Sequence, residues 1–226
     1  MTQDEAKLLV AKRAVEFVED GMAVGLGTGT TATMFIRELG ARVRQGLKIR
    51  CVASSDASHE LGLSLGMDVK TLAELPELDL YVDGADEVGP GLSLIKGGGG
   101  ALLREKIVAS AAKEFLVVVD STKLVQLLGK FPLPVEVVKM ALPIVEPRLA
   151  ALELNPKLRK AKNGTGPYLT DEGNYILDCA CGVIEEPEVL AAEIRGIVGV
   201  VEHGLFLGMA TLALVAGEDG VTEHQA

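Results

Sequence analysis

The sequence predicts an α/β protein: a doubly wound, mostly parallel, Rossmann-like sheet with a second, smaller α+β domain. Three observations predict it. Short aliphatic runs alternate with stretches of helical periodicity through the first half of the chain. Hydrophobic residues make up 48 % of the 226 residues but aromatics only 4 %, with no Trp, which suits layered aliphatic packing. The polar, glycine-rich motifs of that half each follow an aliphatic run, where a doubly wound sheet collects its ligand groups.

Taken in order, residues 2–19 predict a helix. Thr2 and Glu5 have capping-box spacing, and Ala6, Leu9, Val10, Ala14, Phe17 and Val18 recur at helical intervals. Met22–Leu26 predicts a buried strand, and Ala32, Phe35, Ile36 and Leu39 mark a second helix. Ile49–Ala53 reads as a strand, 57–65 as a helix and Leu80–Val82 as a strand. A helix carrying Leu102, Leu103, Ile107 and Val108 follows the glycines at 97–100, and Phe115–Val119 is another strand. Pro132 and Pro134 cannot both sit inside a regular element, so KFPLPVEV is read as a domain crossing. Beyond it, Asp171–Asn174 predicts a hairpin turn before the strand Tyr175–Asp178, and Pro187 opens a helix through Ile194. Met209–Gly217 is an apolar run expected to return to the first sheet. Residues 1–130 plus 205–226 are therefore assigned to the larger, catalytic domain. Residues 131–204 are assigned to the smaller one, expected to serve assembly.

Charge and composition remove several functions. A formal net charge of −10 leaves no basic face for nucleic acid. Three cysteines give no disulfide framework and are read as small core residues; the three histidines show no metal-ligand spacing. No run reaches the roughly 18 apolar residues of a membrane span, and the charged start lacks a signal-peptide core, so a cytoplasmic protein is expected.

Four motifs can carry chemistry. In GLGTGTTAT (25–33), Thr28, Gly29, Thr30 and Thr31 offer hydroxyls and free backbone N–H groups at a helix start, an anion site. Gly27, Gly29 and Ala32 also fit a relaxed dinucleotide pattern, with Asp56 available for a ribose, and the glycines equally fit a turn that only packs strand on helix. In YVDGADEV (81–88), Asp83 and Asp86 flank Gly84 and Ala85. They can form a proton donor–acceptor pair or belong to an ordinary Asp-Gly turn, and Glu87 is expected at the surface. In IKGGGGALLREKI, Lys96 precedes Gly97, Gly98 and Gly99, whose entropic cost points to a backbone approaching a ligand. Glu105 follows as a candidate base or as a solvated helix residue. In VVDSTK, Lys123 is a second candidate cation, or a surface residue beside a capping Asp120 or Ser121. Taken together they suit a small phosphorylated, polyhydroxylated substrate and proton transfer.

GLGTGTTA, YVDGADE, KGGGGALLREKI and STK…LGKFPLPVEV, in this order, resemble the type A ribose-5-phosphate isomerase family over nearly the whole chain. The resemblance implies reversible conversion of D-ribose 5-phosphate to D-ribulose 5-phosphate through an enediolate, in the non-oxidative pentose phosphate branch, without metal or cofactor. It implies Glu105 as the base between C1 and C2, Asp83 as carrier of the hydroxyl proton, Lys96 at the oxyanion and Asp86 on sugar hydroxyls. Thr28–Thr31, Gly84, Ala85, Gly97–Gly99 and Lys123 are implied in substrate binding. Family members assemble as dimers or larger homo-oligomers, and a homodimer is expected. Two features depart from the pattern: Glu172 stands where an amide is expected, and the stretch 155–168 looks variable. A non-catalytic sugar-phosphate sensor on the same fold is the alternative.

Overall fold

Thr2 opens the first helix with a reciprocal box: its hydroxyl accepts the Glu5 N–H at 3.2 Å, and the Glu5 carboxylate accepts the Thr2 N–H at 2.6 Å. In the computed structural model, which describes residues 1–162 and 164–225, this helix stops at Val15 rather than near residue 19. Arg42 accounts for the early stop. Its Nη1 donates to the carbonyls of Val15 at 2.5 Å and Val18 at 3.0 Å, satisfying oxygens that a longer helix would have bonded itself.

The chain runs α1 (Gln3–Val15), β1 (Ala23–Leu26), α2 (Thr30–Arg44), β2 (Arg50–Ala53), α3 (Asp56–Ser64), β3 (Asp68–Lys70) and β4 (Leu78–Asp83). It continues through β5 (Glu87–Val88), β6 (Leu94–Ile95), α4 (Leu102–Ser110), β7 (Ala112–Asp120), β8 (Leu133–Val137), α5 (Leu142–Ala151) and β9 (Pro156–Leu158). The remainder is β10 (Tyr175–Cys179), α6 (Pro187–Arg195), β11 (Val200–His203), β12 (Leu205–Phe206), β13 (Leu212–Gly217) and β14 (Gly220–Gln225). Among the described residues no helix is long and apolar enough to cross a membrane.

Two compact units result. The first comprises residues 1–85, 104–124 and those from 208 onward. Its seven-stranded sheet has the order β14-β13-β7-β4-β1-β2-β3, parallel except for β14. Strand order reverses at β1: β2 and β3 lie to one side, and β4, β7 and β13 to the other. The carboxyl ends of β1 and β4 therefore flank the switch point where such sheets bind ligands. Val10, Ala14, Phe35, Ile36 and Leu39 of α1 and α2 pack on Val24, Leu26, Leu80, Val82, Leu116, Val118 and Leu214 of the strands. Cys51 is buried in this core, and burial pushes its thiol up to about 12.

The second unit comprises 86–103 and 125–207. A four-stranded antiparallel sheet, β11-β8-β10-β9, sets Leu133, Val135, Val137, Leu177 and Cys179 against Val145 and Leu149 of α5 and Ile194 of α6. A smaller sheet, β12-β6-β5, ties 86–103 to this unit, because β12 follows β11 directly. Residues 86–103, 125–130 and 205–207, assigned from the sequence to the larger domain, thus lie in the second unit, because dipeptide strands leave no periodic signal.

Pro134 lies within β8, not in a connection. Its carbonyl accepts the Gly204 N–H at 2.8 Å on the side where β11 has ended, so the missing proline N–H removes no ladder bond. The predicted turn before β10 is present: Gly173 N–H donates to Thr170 C=O at 2.8 Å, with Gly173 at φ 77°. Asn163, within the stretch 155–168, lies outside the described residues.

Candidate active site

In the first unit the functional side chains hang from the ends of β1 and β4 and from one face of α4. Asp83, the last residue of β4, is fully buried. Its Oδ1 accepts the N–H of Thr28 at 2.9 Å and of Gly84 at 2.7 Å, and its Oδ2 accepts the hydroxyl of Tyr81. The Thr28 N–H is thus committed to Asp83 and is not part of a free anion nest as expected. Thr28 Oγ1 lies 2.9 Å from Ser54 Oγ, which also donates to Leu26 C=O at 3.1 Å. Gly27 makes this possible: a Cβ there would stand 2.3 Å from Asp83 Oδ1 and 2.5 Å from the Val82 carbonyl. Beyond it, Gly29 is the N-cap of α2 at φ 97°. The first helical bond is Thr33 N–H to Gly29 C=O at 2.9 Å, which leaves the amides of Thr30 and Thr31 outside the helical ladder.

Glu105 lies in the first turn of α4 and is only 3 % exposed. The helix buries Leu102, Glu105, Val108 and Ala109 and exposes Ile107 at 44 %, so Ile107 does not belong to the apolar face assigned to it. A carboxylate centred in the buried stripe is costly unless it has polar company, and this placement separates Glu105 from ordinary helix acids. Arg104, the next residue, points elsewhere and pairs with Asp56 at 2.6 Å, the acid that a dinucleotide ribose would have needed. Lys123 closes a short 3-10 turn whose start is capped by Asp120, and it is half-buried beside that carboxylate.

The second unit carries Asp86, Lys96 and the glycine run. Asp86 Oδ2 accepts the Gly98 N–H at 2.7 Å, while its own N–H donates to Ile95 C=O at 2.8 Å. The carboxylates of Asp83 and Asp86, three residues apart in the chain, thus have separate donors. Gly97 sits at φ 103°, and a Cβ on Gly98 would come within 2.6 Å of Asp86 Oδ1. Lys96 is 2 % exposed; its N–H donates to Gly204 C=O at 2.9 Å and its Nζ lies 5.6 Å from the Phe206 ring centroid. Glu87, expected at the surface, is buried. It accepts the Gly129 and Phe131 N–H groups at 2.7 and 2.5 Å, bonding amides of a loop that has no ladder partner there.

Residues that the sequence did not single out support both sets. Tyr81 and Ser54 surround Asp83 and Thr28. On the second unit, Arg159 holds Asp178 and donates to the carbonyls of Gly97 at 3.0 Å and Gly98 at 3.3 Å. Thr170 and Asn174 of the predicted turn both donate to the buried Glu136 at 2.9 Å. Only Tyr81 had a readable signal: a phenol inside an otherwise aliphatic strand. The Arg159 and Glu136 contacts depend on antiparallel register, which the local sequence does not express. Among the described residues, no group of three or more His, Cys, Asp and Glu is placed to hold a metal ion.

Known proteins are similar to this chain over nearly its full length. The family model described as ribose 5-phosphate isomerase A (phosphoriboisomerase A) matches residues 50–220. Ribose-5-phosphate isomerase A of Roseiflexus castenholzii is 53 % identical over 94 % of this chain and 92 % of its own. The solved ribose 5-phosphate isomerase A of Methanocaldococcus jannaschii superposes with a TM-score of 0.95 at 42 % identity, covering both chains in full. A D-ribose-5-phosphate isomerase solved in complex with phospho-erythronic acid gives 0.97 at 38 % identity, again over both full chains.

Proposed function

The chain belongs to the ribose 5-phosphate isomerase A family, and we propose that it interconverts D-ribose 5-phosphate and D-ribulose 5-phosphate with Glu105 as the base. It is an aldose–ketose isomerase, and this reaction lies in the non-oxidative branch of the pentose phosphate pathway. The observation that carries the assignment of the base is the burial of Glu105 in the middle of the apolar stripe of α4.

The chemistry sets the remaining roles. A proton on a carbon beside a carbonyl is weakly acidic, so a carboxylate removes it only where fixed donors meet the charge that develops on oxygen. Glu105 takes the proton from C2 of the aldose and returns it to C1, through an enediolate. Lys96 faces the developing oxyanion with its ammonium. Asp83 carries the proton between the O1 and O2 positions, and Asp86 bonds sugar hydroxyls. Thr28–Thr31, Gly84, Ala85, Gly97–Gly99 and Lys123 bind the rest of the phosphorylated chain. The ligand of one solved relative supports this reading: phospho-erythronic acid is a phosphorylated polyhydroxy acid, whose carboxylate places two oxygens on one planar carbon.

The reaction so described needs no metal or cofactor. The test is isomerisation of ribose 5-phosphate in EDTA by the parent protein beside Glu105→Gln. Activity that survives the chelator and falls by about 10²- to 10⁴-fold in the variant supports the reading. A fully active variant overturns the assignment of the base. An inactive parent would leave a sugar-phosphate-binding protein.

The protein works in the cytoplasm as a homodimer, assembled through the second unit. In support, Val138, Met140, Ile144 and Val198 of that unit are 42, 86, 53 and 81 % exposed. The Val138 N–H bonds Gly199 C=O at 3.0 Å, which brings Val198 beside the turn carrying Met140. Light scattering of the parent and of Met140→Glu reads the assembly state. A parent that is monomeric at all concentrations removes this assignment.

A further inference from the structure

Tyr81 has no part in the chemistry above, yet its hydroxyl is the side-chain donor described for Asp83. It is the largest fully buried side chain in the protein. Its hydroxyl donates to Asp83 Oδ2, while the two backbone donors of Thr28 and Gly84 hold Oδ1. The ring has no room to move. Tyr81 pairs in register with Gly25 of β1, and a Cβ on Gly25 would come within 2.6 Å of the ring and 2.9 Å of Val108 on α4. On its other side the ring meets Phe115, with centroids 4.8 Å apart and planes at 37°. Gly25 and Gly27, two positions apart on one face of β1, thus accommodate a phenol and the carboxylate it bonds. This gives the first half of the GLGTGTT motif a purpose separate from anion binding.

We infer that Tyr81 is a positioning residue for the isomerisation, fixing Asp83 in one rotamer so that its carboxylate meets the sugar hydroxyl with which it exchanges a proton. The inference rests on the reading of Asp83 as a participant. A buried phenol is a donor only while it keeps its proton. Burial, followed by the charges of Asp83 and Glu105, pushes the Tyr81 hydroxyl well above its ordinary value, with a Ser54 hydrogen bond acting the other way. Glu105 on α4 is thus an ionisable neighbour of Tyr81, and Thr28 and Ser54 contribute neutral hydroxyls from the β1 and β2 ends.

Tyr81→Phe removes one oxygen and keeps the ring. The expected result is a fall in kcat of about 10- to 100-fold, with KM within about twofold of the parent. Asp83→Asn should fall at least as far, and the double variant no further than Asp83→Asn alone. Replacing Tyr81 by 3-fluorotyrosine, which keeps the hydroxyl at nearly the same size, should retain a kcat within about threefold of the parent and covers the case of a Phe variant that folds poorly. A parent-like kcat in Tyr81→Phe, or a KM raised as far as kcat falls, overturns the inference. Additive effects in the double variant overturn it while sparing the role of Asp83. A fully active Asp83→Asn removes both.

Discussion

Arg159 grips Asp178 with two nitrogens, Nε at 2.9 Å from Oδ2 and Nη2 at 2.5 Å from Oδ1. The same guanidinium bonds the carbonyls of Gly97 and Gly98, so one planar fork joins a carboxylate to the glycine loop proposed to bind substrate. Lysine offers a point charge and cannot do both. Arg159→Lys is expected to lower stability by about 1–3 kcal/mol in urea unfolding and to raise KM more than it lowers kcat. Unchanged KM with the stability loss would confine Arg159 to folding.

Gly27→Ala forces a methyl group against Asp83 Oδ1 and the Val82 carbonyl, and the second of these is backbone that cannot swing aside. Overpacking of this kind costs about 1–3 kcal/mol. Loss of isomerisation is expected to exceed what unfolding explains, because Asp83 must leave its donors. Thermal unfolding and kcat measured on the same sample separate the two effects.

Glu87→Ala removes the acceptor of two amides, Gly129 N–H and Phe131 N–H. Each stranded donor costs about 1–3 kcal/mol, so this variant is expected to be among the least stable single substitutions in the second unit. Glu87→Gln keeps one acceptor oxygen and should recover part of the loss. Equal stabilities of the Ala and Gln variants would show that these bonds contribute nothing.

Asp79 gives a prediction about acid. The Ala23 N–H at 2.9 Å and then Lys113 at 2.8 Å hold its carboxyl below the usual range. A folded value lower than the unfolded one, about 3.9, gives stability that is complete above that pH and fades as pH falls through the folded value. Asp79 is partly exposed, so the contribution at neutrality is about 1 kcal/mol or less. Asp79→Asn should lose that amount at pH 7, and parent and variant should converge in stability as pH falls through the folded value of Asp79.

The central strands were legible because β1, β2, β4, β7 and β13 each contain consecutive buried apolar residues, which leaves a short continuous apolar run. The strands β3, β5, β6 and β12 have two or three residues each, too few for any period. The strand β14 is polar and exposed at the sheet edge, and the sequence GVTEHQ carries no alternation. At the site, residue types at motif positions were readable, but partners were not. Glu87 looked like a surface acid because its two donors lie more than 40 residues away. The Thr28 amide looked available because nothing local shows that Asp83, 55 residues on, occupies it.

The strand β13 lies between β14 and β7 in the first sheet, although 83 residues of the other unit (125–207) separate it from β7 in the chain. A ribosome that has delivered residue 207 has therefore released β7 with one whole edge uncovered: five positions, Leu116 to Asp120, await partners on β13. At about 5–20 residues per second, that edge stays open for seconds of synthesis. The second unit can close during this interval from residues already made, whereas the first must wait for the final strands. Nascent chains stalled between residues 125 and 207 would then display an apolar strand edge to chaperones and to one another, a vulnerability that disappears when β13 docks.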